Sequence, residues 1–420
     1  MVTAPLSPPV RGGRFSLTIV RLAMDLVLQA GASMRGTAAS LRLIAARLGL
    51  SVAMPSFGAV RSWLLRLGCY ALMCPLPSGD WVWLIDHTVQ IGACKLLVIV
   101  GCPLANVPFG ERPLRQSDLH LVGLSLMEHS TKEAVAAELE HAALRTGIPR
   151  QIASDQGSDL DGGVKLFQQQ HAGIAQVHDL AHQAANVLKQ RWTNDERWSE
   201  FVTRLSQAAA KLRQTREAHL LPPTIRPKAR FMNVGPTLRF ARRMLHLLDA
   251  STPSTRTEDN YGWLREYREA VTGWASEQAV AESTVRQVRE QGVNRDTATA
   301  LDRVWSTQAL TPGAREVAAR LRASVCAEGS QAQPGETLVG STEVLESTFG
   351  KLKRLEGSYS GDGFTSLSLV LGAILGERTE EQVQQALDAV PTKVVDNCCH
   401  RLLGTTVHML RRLFTKTGKA

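Results

Sequence analysis

The spacing of apolar positions divides the chain into three regimes. From residue 14 to residue 75 the apolar residues recur at helical intervals. Leu17, Val20, Leu22, Met24, Leu26, Val27 and Leu28 form one helix, ended near Gly31. A second runs from Ser33 to Gly49, and a third from Pro55 to Gly68, with Pro near its start and Gly after its end. From residue 80 the pattern shortens to strand-length runs: Trp81–Asp86, Lys95–Val100 and Leu119–Leu126. A helix from Thr131 to Gly147 follows, then a strand over Arg150–Ser154, a helix at about Gly162–His171, and a fifth strand at about Ile174–His178. The order βββαβαβ predicts a mixed sheet covered by helices, not a doubly wound parallel one. Between Leu180 and Gln333 the reading is helical almost throughout. A further helix over Thr342–Leu355 and apolar helices at 364–376 and 400–414 complete the chain.

Breaks in composition set the boundaries. Pro75–Asp80 and Gln331–Thr337 are linkers by their Pro, Gly and polar content. The divisions expected are therefore a helical region at 14–75, the first part of an α/β core at 80–183, an α-helical insertion at 184–335, and the rest of the core at 337–420. Trp192, Trp198, Trp263, Trp274 and Trp305 read as core anchors of the insertion, not as a cofactor box.

Charge changes the picture. A formal net charge of +9 points to a polyanionic partner. Residues 14–68 hold seven arginines against one acid, Asp25. Helix, glycine-bearing turn and helix with Ser56, Arg61, Ser62 and Arg66 expected on the surface is the pattern of a helix-turn-helix DNA reader. A small bundle with solvated arginines is the alternative. Residues 211–243 hold nine Lys and Arg, including Arg239, Arg242 and Arg243, with Phe231 and Phe240 between them and Glu217 the single acid. Such a stretch suits phosphates and exposed bases, or is a solvated face. No apolar run reaches the roughly 18 residues of a membrane span. The N-terminus lacks the order of a signal peptide. Seven scattered cysteines, with no CxxC pair, argue against zinc ribbons and disulfide frameworks and for reduced thiols in the cytoplasm. Cys398-Cys399-His400 is not read as a metal site.

The candidate chemistry is carboxylate chemistry. Asp86 ends the first strand and Asp155 ends the fourth, so the two are expected at neighbouring strand ends, able to share divalent cations. Glu346 supplies a third carboxylate: Leu345, Phe349 and Leu352 form an apolar stripe on its helix, and Glu346, Gly350 and Lys353 lie on the adjacent stripe. Among competing acids, Asp159 follows Asp155 closely, Asp161 reads as a helix N-cap, and Glu343 and Glu356 as solvated. His178 and His182 share a helical face after the fifth strand. They read as structural or supporting residues behind the site, with metal ligation or substrate positioning left open.

These residues carry a resemblance. Ile85-Asp86-His87, the segment Ala153-Ser154-Asp155-Gln156-Gly157-Ser158, and Glu346 with Lys353 resemble the first-acid strand, the second-acid segment and the E-x6-K element of bacterial insertion-sequence transposases of the DDE type, whose core is RNase H-like, as in the retroviral-integrase superfamily. The likeness covers about 80–180 and 337–360, and the leading helices fit the same architecture. Val339 and Thr342 stand where families with the full signature have Tyr and Arg. The resemblance implies an α/β RNase H-like fold with a large all-α insertion that helps hold DNA ends. It also implies metal-dependent cleavage and joining of DNA strands at transposon ends. Asp86, Asp155 and Glu346 would be ligands for Mg²⁺ or Mn²⁺, as two ions. Arg61, Arg66, Arg239, Arg242, Arg243, Lys351 and Lys353 would contact DNA. The implied partners are double-stranded transposon-end and target DNA and further copies of the chain, with no membrane. A nuclease or resolvase without strand transfer, and a catalytically inert DNA-binding derivative, are the alternatives.

Overall fold

The computed structural model describes residues 13–91, 93–224, 231, 234–250, 255–357 and 364–404. The protein is mixed α/β, with one five-stranded sheet and a majority of helix. It divides into two compact units. One comprises residues 1–108, 114–176 and 342–420, and the other residues 109–113 and 177–341.

The first unit begins with α1 (Leu17–Leu28), α2 (Met34–Arg47) and α3 (Phe57–Met73). Ser16, Ser33 and Ser56 cap them, each accepting a backbone N–H from the first turn. Gly31 and Gly49 take positive φ just past α1 and α2. α3 departs from expectation by running five residues beyond Gly68. That glycine is not a stop signal but a close-packing point: a Cβ there would lie 1.8 Å from the carbonyl oxygen of Leu369.

The sheet follows: β1 (Trp81–Ile91), β2 (Cys94–Pro103), β3 (His120–Met127), β4 (Gln151–Ser154) and β5 (Ala175–His178), in the spatial order β3-β2-β1-β4-β5. β1 pairs antiparallel with β2, β2 antiparallel with β3, and β1 parallel with β4. Alternation along β1 sends Trp81, Trp83 and Ile85 into one core with Val135 and Leu139 of α4 (Lys132–Thr146) and Val164 and Phe167 of α5 (Ser158–Gln170). α5 starts four residues earlier than its pattern suggests, because Gly157 holds the N-cap position. Asp161 is therefore not the cap; it lies inside the first turn and pairs with Lys165 and Gln176.

The second unit is helical: α6 (Leu180–Trp192), α7 (Glu196–Leu212), α8 (Gly235–Leu248), α9 (Thr255–Tyr261), α10 (Arg268–Gln291), α11 (Thr297–Ser306) and α12 (Pro312–Gly329). Trp192, Trp198 and Trp274 are buried around Phe201, with Trp198 and Trp274 centroids 4.9 Å apart in an edge-to-face arrangement. The buried Glu277 carboxylate is held by the Trp192 indole N–H and by Arg191, whose Nε lies 2.8 Å away.

The chain then returns to the first unit as α13 (Glu343–Glu356), α14 (Leu371–Ile374), α15 (Glu380–Ala389) and α16 (Thr392–Leu403). The apolar segment expected as one helix at 364–376 is a 3-10 turn, Ser366–Val370, running into α14. Of the helix expected at 400–414, residues 405–414 lie outside the described residues. α3 packs against α14, α15, α16 and β3, so the leading helices belong to the same unit as the sheet. All seven cysteines are free thiols. Among the described residues no helix is long and apolar enough to cross a membrane.

Candidate active site

Asp86 and Asp155 are brought together by strand register. The parallel pairing of β1 with β4 runs Val82–Gln151, Trp83–Ile152, Leu84–Ala153 and Ile85–Ser154. Asp86 does not end its strand as expected: β1 continues to Ile91, held there by its antiparallel pairing with β2. The parallel pairing with β4 stops at Ile85 and Ser154, and Asp86 and Asp155 are the residues that follow on the two neighbouring strands, which lie about 4.8 Å apart along the hydrogen-bonding direction. Both are partly covered. Asp86 shares the parity of Val82 and Leu84, away from the Trp81, Trp83 and Ile85 core, and its Oδ1 accepts the His87 N–H at 2.6 Å. The Asp155 Oδ1 accepts the Gly157 N–H at 3.0 Å, which fixes the carboxylate in the turn into α5. Gly157 has little latitude here. A Cβ on it would come 3.0 Å from Asp155 Oδ1 and 3.2 Å from Asp159 Oδ1.

Asp159 belongs to a network that the sequence motifs did not reveal. Its Oδ2 accepts from Lys95 Nζ at 2.7 Å and lies 3.9 Å from His87 Nδ1, while His87 Nε2 is 3.0 Å from the Ser130 hydroxyl. Burial alone would raise the Asp159 carboxyl, but Lys95, the Ser130 hydroxyl and His87 outweigh it and hold it at about 2. Burial lowers His87, and Lys95 adds to that, against the opposing pull of Asp159 and Asp155. The imidazole is therefore neutral at neutral pH. Ser130, His87 and Asp159 do not form a nucleophilic triad. The His–Asp separation exceeds a hydrogen bond, and Lys95 occupies the same carboxylate oxygen. The available signal was alternation, since His87 continues the Trp81, Trp83, Ile85 face, together with the placing of Asp159 in the first turn of the helix that follows Asp155.

The third candidate acid arrives on α13, which lies against β1. Leu345, Phe349 and Leu352 are buried there with Val344 and Thr348, and the Gln116 amide donates to the Ser347 hydroxyl at 3.0 Å. Glu346, Gly350 and Lys353 are exposed. Two acids on this helix depart from expectation. Glu343 is half-buried, with its Oε2 shielded from solvent. Glu356 is half-buried rather than solvated: burial raises its carboxyl, against an opposing hydrogen bond from Thr365 and the charge of Lys353. Among the described residues no three His, Cys, Asp or Glu side chains stand close enough to hold one metal ion. The β1/β4 register places Asp86 and Asp155 on neighbouring strands, and with Glu346 they do not form a ready three-ligand cluster.

The basic candidates divide sharply. Arg61 and Arg66 were expected on the surface of a DNA reader, and both are half-buried. Arg61 donates to the Ser366 hydroxyl, and Arg66 donates to the carbonyls of Val390, at 2.6 Å, and Leu387. Their donors are directed at the protein's own C-terminal segments because α3 is packed on several sides. Arg239, Arg242 and Arg243 are exposed along α8, with Arg239 3.1 Å from Glu282. His178 and His182 lie in the helical unit, where their Nδ1 atoms each meet a carboxylate at 3.0 Å, Glu328 and Asp179 respectively. Asp179 is also the N-cap of α6. Both histidines thus have structural partners.

No protein-family description matches the chain, and no curated protein matches it. Solved structures that match include a chain of the Drosophila P element transposase strand transfer complex, at 13% sequence identity and a TM-score of 0.41, covering 88% of this chain and 93% of that one. The likeness is too loose to carry a functional argument.

Proposed function

We propose that this protein is a DNA transposase of the DDE type, cutting and joining DNA strands at the ends of an insertion element. The observation that carries the reading is the parallel β1/β4 register, which ends at Ile85 and Ser154 with an aspartate next on each strand, Asp86 and Asp155, in a β3-β2-β1-β4-β5 sheet whose first three strands are antiparallel. That order and those directions support an RNase H-like core. The return of α13 to β1 after the helical unit supports a split core with an insertion.

Two carboxylates on adjacent strands are hard oxygen donors. They fit Mg²⁺ or Mn²⁺, which are commonly held by one or two carboxylates plus substrate phosphates. Asp86 and Asp155 would hold the ions, with Glu346 joining when DNA is bound. Bound there, the ions supply Lewis-acid polarisation of the scissile phosphate and an activated water or 3′-hydroxyl. The chain's own residues do the positioning. The Gly157 N–H orients the Asp155 carboxylate, and Lys95 with the Ser130 hydroxyl keeps Asp159 ionised. Lys353 offers a cation on the Glu346 side of α13. Arg239, Arg242 and Arg243 give α8 a cationic face for phosphates.

The test uses the full chain, the DNA segments that flank its coding region, searched first for inverted repeats, and a target plasmid. Asp155→Asn should abolish Mg²⁺- or Mn²⁺-dependent cleavage while leaving end binding intact; surviving cleavage would refute the site. Glu346→Gln should behave likewise and Glu343→Gln should not, so the opposite pattern would move the third ligand to Glu343. The second reading is a transposase-derived DNA-binding protein without catalysis. That protein would shift the DNA in a gel and never cut it. Nicked ends without joined product would identify a nuclease or resolvase.

A further inference from the structure

α13 presents a second cationic feature on a different side from Lys353. Two residues apart on a helix, Lys351 and Lys353 point about 160° from one another. Lys353 is exposed, whereas Lys351 is half-buried beside Arg354 at the edge of a hollow of about 150 Å³ between the C-terminal half of α13 and the α1–α2 turn. Val27, Met34, Leu355 and Ile374 give it an apolar floor, and no Asp or Glu lines it. Among the described residues no carboxylate pairs with Lys351 or Arg354. Burial, and then the charge of Arg354, lower the Lys351 ammonium, so a half-buried lysine stands beside an exposed arginine at the mouth of the hollow.

Two further details point the same way. Gly31, in the α1–α2 turn, has φ +69, and a Cβ on it would lie 3.2 Å from Arg354 Nη1. The bare glycine seats the guanidinium against the turn. The hollow is also lined by Ser33 and Met34, the N-cap and first residue of the fourteen-residue α2, where the helix dipole adds positive potential. A Lys, an Arg and a helix N-terminus, with no counter-carboxylate among the described residues, offer an anion more charge than a phosphodiester carries. The apolar floor asks for an apolar body attached to that anion.

We propose that this hollow binds a phosphomonoester with an attached apolar body: a nucleoside 5′-monophosphate, or the 5′-phosphorylated end of a nucleic-acid strand. Lys351 and Arg354 grip the phosphate from the α13 side while the sugar or base rests on Met34, Leu355 and Ile374. The site does not involve Asp86 or Asp155, and its binding is measured without cleavage. Failure of either reading is therefore visible on its own.

The experiment is a calorimetric titration of the full chain with a single-stranded decanucleotide carrying a 5′-phosphate, the same strand with a 5′-hydroxyl, dAMP, and inorganic phosphate. The wild-type chain should prefer the 5′-phosphorylated strand by about tenfold, and the preference should fade as pH drops through the second phosphate ionisation near 6. The double variant Lys351→Gln/Arg354→Gln, checked for an unchanged thermal melt, should lose about tenfold on the phosphorylated strand and less than about twofold on the other. The charge-preserving Lys351→Arg/Arg354→Lys should retain the preference. Competition by dAMP would assign the site to free nucleotides; binding of the strand end without such competition would assign it to strand termini. Equal binding of the two strands by the wild-type chain would overturn the proposal, as would equal loss of both in the Gln variant.

Discussion

The arginines of α3 and those of α8 look alike in sequence and do opposite things. Each set sits in a helix with apolar residues at helical spacing, and each was read toward DNA. On α8 one face is buried, through Leu238, Ala241, Met244, Leu245 and Leu248, so Arg242 and Arg243 project into solvent. On α3, Val60, Trp63, Leu64, Leu65, Leu67 and Cys69 are all buried, and little of the circumference is left for solvent. Arg61 and Arg66 reach past that core to a hydroxyl and to carbonyls. Arg145 does the same from α4, donating to Leu121, Val122, Ala71 and Cys74 carbonyls between 2.6 and 3.1 Å. A helix of ordinary amphipathicity leaves its cations outside. A helix surrounded by partners uses them as internal ties, since a buried carbonyl without a donor is costly.

The largest effect that could break this contrast lies at Gly68. With the Leu369 carbonyl oxygen 1.8 Å from a would-be Cβ, Gly68→Val should force α3 away from its partners and cost more than about 4 kcal/mol. Denaturant unfolding reads this directly, and a near-normal midpoint would show that α3 is not packed as described. Arg66→Met comes next. It keeps the length of the side chain but strips the Val390 and Leu387 carbonyls of their donor, for an expected loss of about 2–4 kcal/mol with DNA affinity per folded molecule unchanged. Loss of DNA affinity with full stability would restore Arg66 to the role of a reader. Arg242→Gln/Arg243→Gln should do the reverse. Stability should hold within about 0.5 kcal/mol, and the slope of log affinity against log salt should fall by about 2. An unchanged slope would leave α8 as a solvated face and nothing more.

The same contrast explains what the sequence made legible. β1 announced itself through Trp81, Trp83 and Ile85 alternating with Val82 and Leu84, but the end of that apolar run at Asp86 is not the end of the strand, because backbone pairing with β2 carries β1 on through polar residues to Ile91. Ser33 and Gly49 marked the limits of α2 through capping chemistry that is local in sequence. Gly68 was misread because its role depends on Leu369, three hundred residues away, and no local pattern carries that. Arg61, Arg66, Glu356 and the Lys95–Asp159–His87 network were opaque for the same reason. Each has partners supplied by a distant segment, and periodicity reports only which face is apolar, not how many faces are covered. Lys351 and Lys353 illustrate the limit within one helix. Sequence proximity grouped them as DNA contacts, and the 3.6-residue repeat separates them onto different sides.

The smallest effect, and the one with the clearest sign, concerns Glu356. It is the acidic counterpart of Arg66, a charge on a helix that was expected in water and is half-buried. Burial raises its carboxyl above the ordinary value, with the Thr365 hydroxyl bond, 3.0 Å to Oε1, and Lys353 opposing. A carboxyl whose folded value lies above its unfolded value binds more protons in the folded state between the two. Stability therefore falls as pH rises through that window, and the penalty is fully present at neutral pH. Glu356→Gln keeps an acceptor for Thr365 and removes the charge. It should raise the thermal midpoint at pH 7 and lose that advantage below the ordinary glutamate range, near 4.3, where the wild-type side chain is itself protonated. If the variant were less stable at pH 7, Lys353 and Thr365 would outweigh burial, and Glu356 would belong with Asp159, whose charge is held in place by its neighbours, and not with the groups that burial works against.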